Sequence, residues 1–160
     1  MNKPKQIGTA AERAVARFLQ ANGWPSAERR ALRGRQDAGD ITGTPGVCWE
    51  VKGGNAARDA SALAVDRWLL ELDEETGHAG ADVGVLVLQQ RGIGPQRAGL
   101  WSAVLMLGAL IDLSCTGAPR PHSALALDVP VRMCLAHVVT ILRAGGYGLP
   151  LEEEAFHGDV

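Results

Sequence analysis

Between Gly8 and Trp24 the apolar positions recur three and four residues apart. Ala11, Val15, Phe18 and Leu19 share one side of a helical wheel, and Arg13, Arg17 and Gln20 take the other. The pattern predicts an amphipathic helix that stops at Asn22 and Gly23. Thr9 and Glu12 stand at capping-box spacing, so two roles are open to Glu12: fixing the helix start, or reaching from the edge of the apolar stripe to a site at a sheet. A short strand is expected around AERRAL. The period then changes to two in VCWEVK, where Val47, Trp49 and Val51 point one way and Cys48, Glu50 and Lys52 the other. The preceding Thr44-Pro45-Gly46 reads as a turn, with Pro45 presetting φ and Gly46 free to take a positive one. Together these segments predict a half-buried hairpin with Asp40 on its first strand.

Downstream, ARDASALAVDRWLLELDEETGHAGA predicts one long amphipathic helix, with Leu63, Trp68, Leu69 and Leu72 on its apolar side and Gly77 near its end. ADVGVLVLQQ is almost continuously apolar, as a buried strand is. The apolar run of 14 residues from Leu100 to Leu113 falls short of the roughly 20 that span a bilayer, and is read as core. Near the C-terminus, Asp128 as cap, Pro130 in a first turn and Val131, Leu135, Val138, Val139 and Leu142 predict a helix ended by Gly145 and Gly146. Hairpin, helix and buried strand make an α/β fold, a mixed sheet flanked by helices, in a single domain over residues 1–150. An acidic, flexible tail over 151–160 follows.

Composition narrows the class. The 160 residues suit one domain, and 46% apolar with 21% charged matches a globular chain rather than a disordered one. MNKPKQ leads straight into the first helix without a basic, apolar, small-residue leader, so a cytoplasmic protein with no membrane partner is expected. Cys48, Cys115 and Cys134 are odd in number and lack zinc-type spacing, which predicts buried free thiols. His137 reads as a core or rim residue, and His78, His122 and His157 fall in predicted loops or the tail with no partner pattern.

The net charge of −2 hides an asymmetry. Residues 1–58 hold ten Lys or Arg against five acids, whereas the remainder holds six against thirteen. A basic surface beside a few carboxylates suits a phosphodiester, although charge runs are also ordinary solvated faces. Arg29, Arg30, Arg33 and Arg35 are the candidates to line such a surface. In QRGIGPQRAGLW, Arg91 and Arg97 with the glycine-rich backbone offer phosphate contacts, or are solvated residues of a turn.

The chemistry concentrates at Asp40, Glu50 and Lys52. Glu-x-Lys alone describes many surface ion pairs on edge strands. Adding Asp40 on the paired strand brings two carboxylates together, and these repel unless a cation lies between them; an oxygen-only site suits Mg²⁺. Such an ion activates water and polarises phosphate, with Lys52 placed to orient the water or stabilise developing charge.

A helix carrying Glu12, then Gly39-Asp40, nine residues, and Glu50-Val51-Lys52 resembles the PD-(D/E)XK nuclease superfamily over about residues 5–90, and is similar to its archaeal and phage Holliday-junction resolvases. Gly39 stands where the motif's proline would be. The resemblance implies a restriction-endonuclease-like fold and hydrolysis of DNA. It implies Mg²⁺, with Mn²⁺ as substitute, held by Asp40, Glu50 and the Val51 carbonyl, with Glu12 a further candidate ligand, and it makes Glu12, Asp40, Glu50 and Lys52 the catalytic set. It further implies a homodimer acting on branched DNA in a bacterial or phage-infected cell. A restriction-type nuclease or exonuclease is the nearest enzymatic alternative, and a non-catalytic DNA-binding protein is the alternative from another class.

Overall fold

The computed structural model describes residues 3–30, 38–114 and 128–150. Its first helix, α1 (Lys3–Ala21), turns Ala11, Val15 and Leu19 into the core and leaves Arg13 and Arg17 exposed, as the stripe predicts. The helix begins six residues before Thr9, with Pro4 in the first turn, where a missing N–H leaves no bond unmade. Thr9 is therefore inside the helix and the capping-box role of Glu12 does not hold.

Two short strands follow, β1 (Glu28–Arg29) and β2 (Ile41–Thr42), which pair antiparallel with each other. The turn at Pro45-Gly46 forms, with Gly46 at φ +79° and Val47 N–H donating to the Thr44 carbonyl at 3.0 Å. The strand after it, β3 (Val47–Lys52), does not complete the expected hairpin ladder. It pairs parallel with β4 (Val83–Leu88) instead, and β2 reaches it mainly through the Asp40 N–H, which donates to the Trp49 carbonyl at 2.7 Å.

Between β3 and β4 the single long helix expected is two, α2 (Gly54–Arg58) and α3 (Ala62–Ala79). Ser61 breaks them apart by capping α3, its hydroxyl accepting from the Ala64 N–H. Trp68, Leu69 and Leu72 are buried, but Leu63 is 79% exposed because it lies in the first turn, off the buried stripe. His78 lies in the last turn of α3 rather than in a loop. A 3₁₀ helix (Pro95–Leu100) occupies the glycine-rich loop, and the apolar run behind it divides into β5 (Ser102–Met106) and α4 (Leu107–Ser114).

Pro130 opens an edge strand, β6 (Pro130–Cys134), not a helix; it lies opposite Met106, on an edge that tolerates its missing N–H. Helix α5 (Leu135–Ala144) starts only after it, with Cys134 rather than Asp128 at its N-cap, and ends at Gly145 as expected. His137 is exposed on α5, at the rim. Cys48 is a buried free thiol as predicted and Cys134 only half-buried, while Cys115, His122, His157 and the tail over 151–160 lie outside the described residues.

The result is a single-domain α/β fold around a mixed four-stranded sheet, β3-β4-β5-β6, parallel at its first junction and antiparallel at the other two. One face carries Val47, Trp49, Val51, Val83, Val85 and Val87 against α1 and α5. The other carries Cys48, Leu86, Leu88 and Val104 against Val65, Trp68, Leu69 and Leu72 of α3. Because both faces are covered, β3 is buried through rather than half-buried. Among the described residues, no helix is long and apolar enough to cross a membrane.

Candidate functional site

Glu50 and Lys52 leave β3 on the α3 side, and the layer above them shuts Glu50 down to 7% exposure. Main-chain N–H and C=O groups of one strand residue face the same edge, so the strand alternates its hydrogen bonding from residue to residue. The Lys52 carbonyl faces β4 and accepts from the Gln89 N–H at 3.0 Å. Trp49 and Val51 therefore face the opposite edge, where Asp40 lies. Asp40 binds this edge twice: its N–H to the Trp49 carbonyl, and its Oδ2 as acceptor from the Val51 N–H at 2.8 Å. The Val51 carbonyl falls on the same edge, next to the Asp40 carboxyl.

Gly39 makes this approach possible. Its φ is +82°, and a Cβ there would lie 2.8 Å from both the Trp49 carbonyl oxygen and the Cys48 Sγ. Proline, fixed near φ −65°, fits neither the angle nor the space. The glycine in place of the motif's proline is thus demanded by this backbone.

Half-buried Asp40 and buried Glu50 are close enough to act on each other's charge. Burial first, then the Glu50 charge, pushes Asp40 up to about 8, against the lowering effect of the Val51 N–H. Burial likewise pushes Glu50 up to about 7, although Lys52 is hydrogen-bonded to it. The two titrate as a pair, so that at neutral pH they keep a proton that separate carboxylates would have lost. Lys52 loses by burial and gains more from Glu50, Glu71 and Asp40, ending above its ordinary pKa and charged.

The residues predicted from sequence are only partly brought together. Asp40, Glu50, Val51 and Lys52 converge. Glu12 is drawn into an ion pair with Arg29, though its charge still acts on Asp40. Arg29 is thereby turned inward rather than lining an open surface, and the Nε of Arg30 is buried with no hydrogen-bond partner among the described residues. Arg33 and Arg35 lie outside the described residues. Arg91 and Arg97 are exposed beyond β4, Arg91 paired with Asp59 and Arg97 reaching the Gly92 carbonyl at 3.4 Å.

Three groups at the site escaped the sequence reading. Glu75 of α3 is 8% exposed and its charge raises both Glu50 and the Cys48 thiol, the latter pushed by burial to about 11. Its signal was an acid on the 65-68-72-75 stripe. Glu71, one turn earlier, places Oε2 3.7 Å from the Lys52 Nζ. Gln89, at the end of the β4 run, is 7% exposed and accepts from the Gly54 N–H at 2.8 Å, fixing the chain just after Lys52.

Among the described residues no three His, Cys, Asp or Glu side chains are drawn together as ligands of one ion. Glu50 is turned to Lys52 and Glu12 to Arg29. The donor set nonetheless fits a hard divalent cation: two carboxyl groups whose desolvation raises their proton affinity, beside a main-chain carbonyl, with oxygen atoms only.

Compared with known protein families, curated proteins and solved structures, the chain matches none of them. The functional reading therefore rests on its own residues.

Proposed function

We propose that this protein is a Mg²⁺-dependent DNA endonuclease of the PD-(D/E)XK kind, with Mn²⁺ as a substitute, and that it cuts branched DNA, four-way junctions foremost, as a two-fold dimer. The observation that carries the reading is the buried Glu50 with the half-buried Asp40 anchored at the edge of the same strand and Lys52 two residues further on the same strand face. The element order supports it: a helix with Glu12, two short strands, a long strand with Glu-Val-Lys, a helical crossover and a parallel strand are the parts of a restriction-endonuclease-like core.

In this reading Asp40, Glu50 and the Val51 carbonyl hold the ion, which when bound supplies an activated water and polarises the scissile phosphate. Lys52 places its ammonium beside the attacking water and the phosphate oxygen that gains charge. The covered sheet faces fix the backbone of β3, from which both side chains project. Arg91 and Arg97 offer guanidinium groups to the DNA backbone on the side to which β4 points.

Labelled four-way, flap, duplex and single-stranded DNA, each with Mg²⁺ or with EDTA, test the reading. Cleavage of the junction only with Mg²⁺ is expected, abolished by Glu50→Gln while the melting temperature and metal-free DNA binding persist. Cleavage by Glu50→Gln at the unaltered rate would overturn the site. Binding without cutting any of the four DNAs would favour a non-catalytic DNA-binding protein, and a monomer in sedimentation equilibrium with junction DNA would remove the resolvase assignment.

A further inference from the structure

Among the described residues the Lys52 ammonium lies against Glu50 and against two side chains of α3. Besides its ion pair with Glu50, it lies 3.7 Å from Glu71 Oε2 and 5.6 Å from the centre of the Trp68 ring. Trp68 and Glu71 are three residues apart on the helix and so share a face. Trp68 is 8% exposed, a wall fixed by packing, whereas the Glu71 side chain is 47% exposed and adjustable, its other oxygen 4.0 Å from Arg67 Nε.

This arrangement answers a difficulty in the nuclease reading. If Glu50 binds a cation, its oxygens and charge are committed, and Lys52 loses its nearest anchor. A lysine has four methylenes and three equivalent donors, so it does not hold a fixed position alone. An indole face attracts an ammonium, and a second carboxylate on the same side confines it further.

We infer that Trp68 and Glu71 are positioning residues that hold the Lys52 ammonium over β3 once Glu50 has turned to the metal. The inference rests on the nuclease reading and adds two residues of α3 to it. Neither touches the reacting atoms; both act through Lys52.

The test uses the full chain with Trp68→Leu, Trp68→Phe, Glu71→Gln and Glu71→Asp. In protein carrying ¹³C-labelled lysine, the Lys52 ε-methylene signal, assigned by its loss in Lys52→Arg, is expected upfield with Mg²⁺ bound because it lies over the indole. Trp68→Leu should return it to the position of an exposed lysine, and Trp68→Phe should restore part of the shift. With the labelled DNA that the unaltered chain cuts best, Trp68→Leu and Glu71→Gln should each lower kcat, by up to about 100-fold for a displaced catalytic group. KM and the half-saturating Mg²⁺ concentration should not change, and Trp68→Phe and Glu71→Asp should recover most of the rate. Glu71→Gln keeps the test valid if Trp68→Leu does not fold. An exposed-lysine signal in the unaltered protein, an unchanged kcat in Glu71→Gln, or a loss that the conservative variants do not recover would overturn the positioning role. Absence of all cleavage by the unaltered protein would overturn the nuclease reading and this role together, whereas an upfield Lys52 signal in that protein would then mark a packing contact only.

Discussion

The two faces of β3 are buried to nearly the same degree and are built from opposite materials. Toward α1 and α5, Val47, Trp49 and Val51 are at most 4% exposed and meet apolar neighbours. Toward α3, Glu50 is 7% exposed and meets Asp40, Lys52 and the charge of Glu75. On the first face, leaving water contributes stability, about 25 cal/mol for each Å² of apolar surface. On the second it costs stability, as the raised proton affinities of Asp40 and Glu50 record. Apolar residues of similar volume often do better than buried charges. A strand that keeps ionisable groups on one covered face and none on the other separates packing from chemistry, and places where local rules are broken are where function is expected.

The largest effect that would break this comparison lies on the apolar face. Trp49 is fully buried and stands edge-on to Trp24 with ring centres 6.1 Å apart. Trp49→Ala should destabilise the chain by about 3–5 kcal/mol, a large part of the roughly 5–15 kcal/mol that a domain possesses. Urea unfolding measures it. A midpoint equal to that of the unaltered protein would mean that the Trp49 face is not the core, and the contrast with the Glu50 face would fail.

The same contrast explains what could be read from the sequence. Alternation along VCWEVK, the helical stripe of α1 and the apolar run of β4 are local patterns, and each formed where its period indicated. Asp40, Glu50 and Lys52 were also legible, because their spacing requires only that β3 be extended and that the preceding turn bring Asp40 back. What failed depended on distant partners or on phase. Pro130 fits a helix start or a strand edge equally well until Met106 lies opposite it. Thr9 and Glu12 make a capping box only if the helix starts there, and it starts at Lys3. Leu63 lies off the stripe that Val65, Trp68, Leu69 and Leu72 bury, a matter of phase that apolar residues on both sides of α3 left open. Neither the capture of Glu12 by Arg29 nor the burial of Glu75 follows from any one segment, since each needs two elements packed together.

A smaller effect sharpens the ionisable side of the comparison. Asp40 has its ordinary pKa of 3.8 in the unfolded chain and about 8 in the folded one. Between those two values the folded chain holds a proton that the unfolded chain has released, so in EDTA the stability should fall as pH rises from about 4 to about 8. Asp40→Asn keeps an acceptor for the Val51 N–H and removes the charge. Its melting temperature should therefore exceed that of the unaltered protein at pH 8 and approach it as pH falls to about 4, each gain of about 1 kcal/mol appearing as roughly 2–4 °C at this chain length. Mg²⁺ should raise the unaltered protein at pH 8 and leave Asp40→Asn nearly where it was. Equal melting temperatures for the two proteins at both pH values would mean that the carboxyl is not desolvated as the fold requires.

The smallest effect separates buried from exposed charge. Arg91 and Asp59 form an ion pair as close as those at the site, yet their side chains are 69% and 55% exposed. Water screens such a pair, so Arg91→Ala should change stability by less than about 1 kcal/mol, within the range of exposed salt bridges. The same substitution should matter more to DNA. If Arg91 contacts a phosphate, its loss should weaken binding to every DNA about equally and reduce the slope of log affinity against log salt by about 1. Thermal melts and a salt series of binding titrations measure the two quantities on one variant. A changed melt with an unchanged salt slope would make Arg91 a structural residue and move the DNA surface away from the loop beyond β4. An unchanged melt with a shallower slope would place that loop on the DNA and leave the burial of Glu50 beside a half-buried Lys52, rather than the pairing of opposite charges, as what sets the site apart.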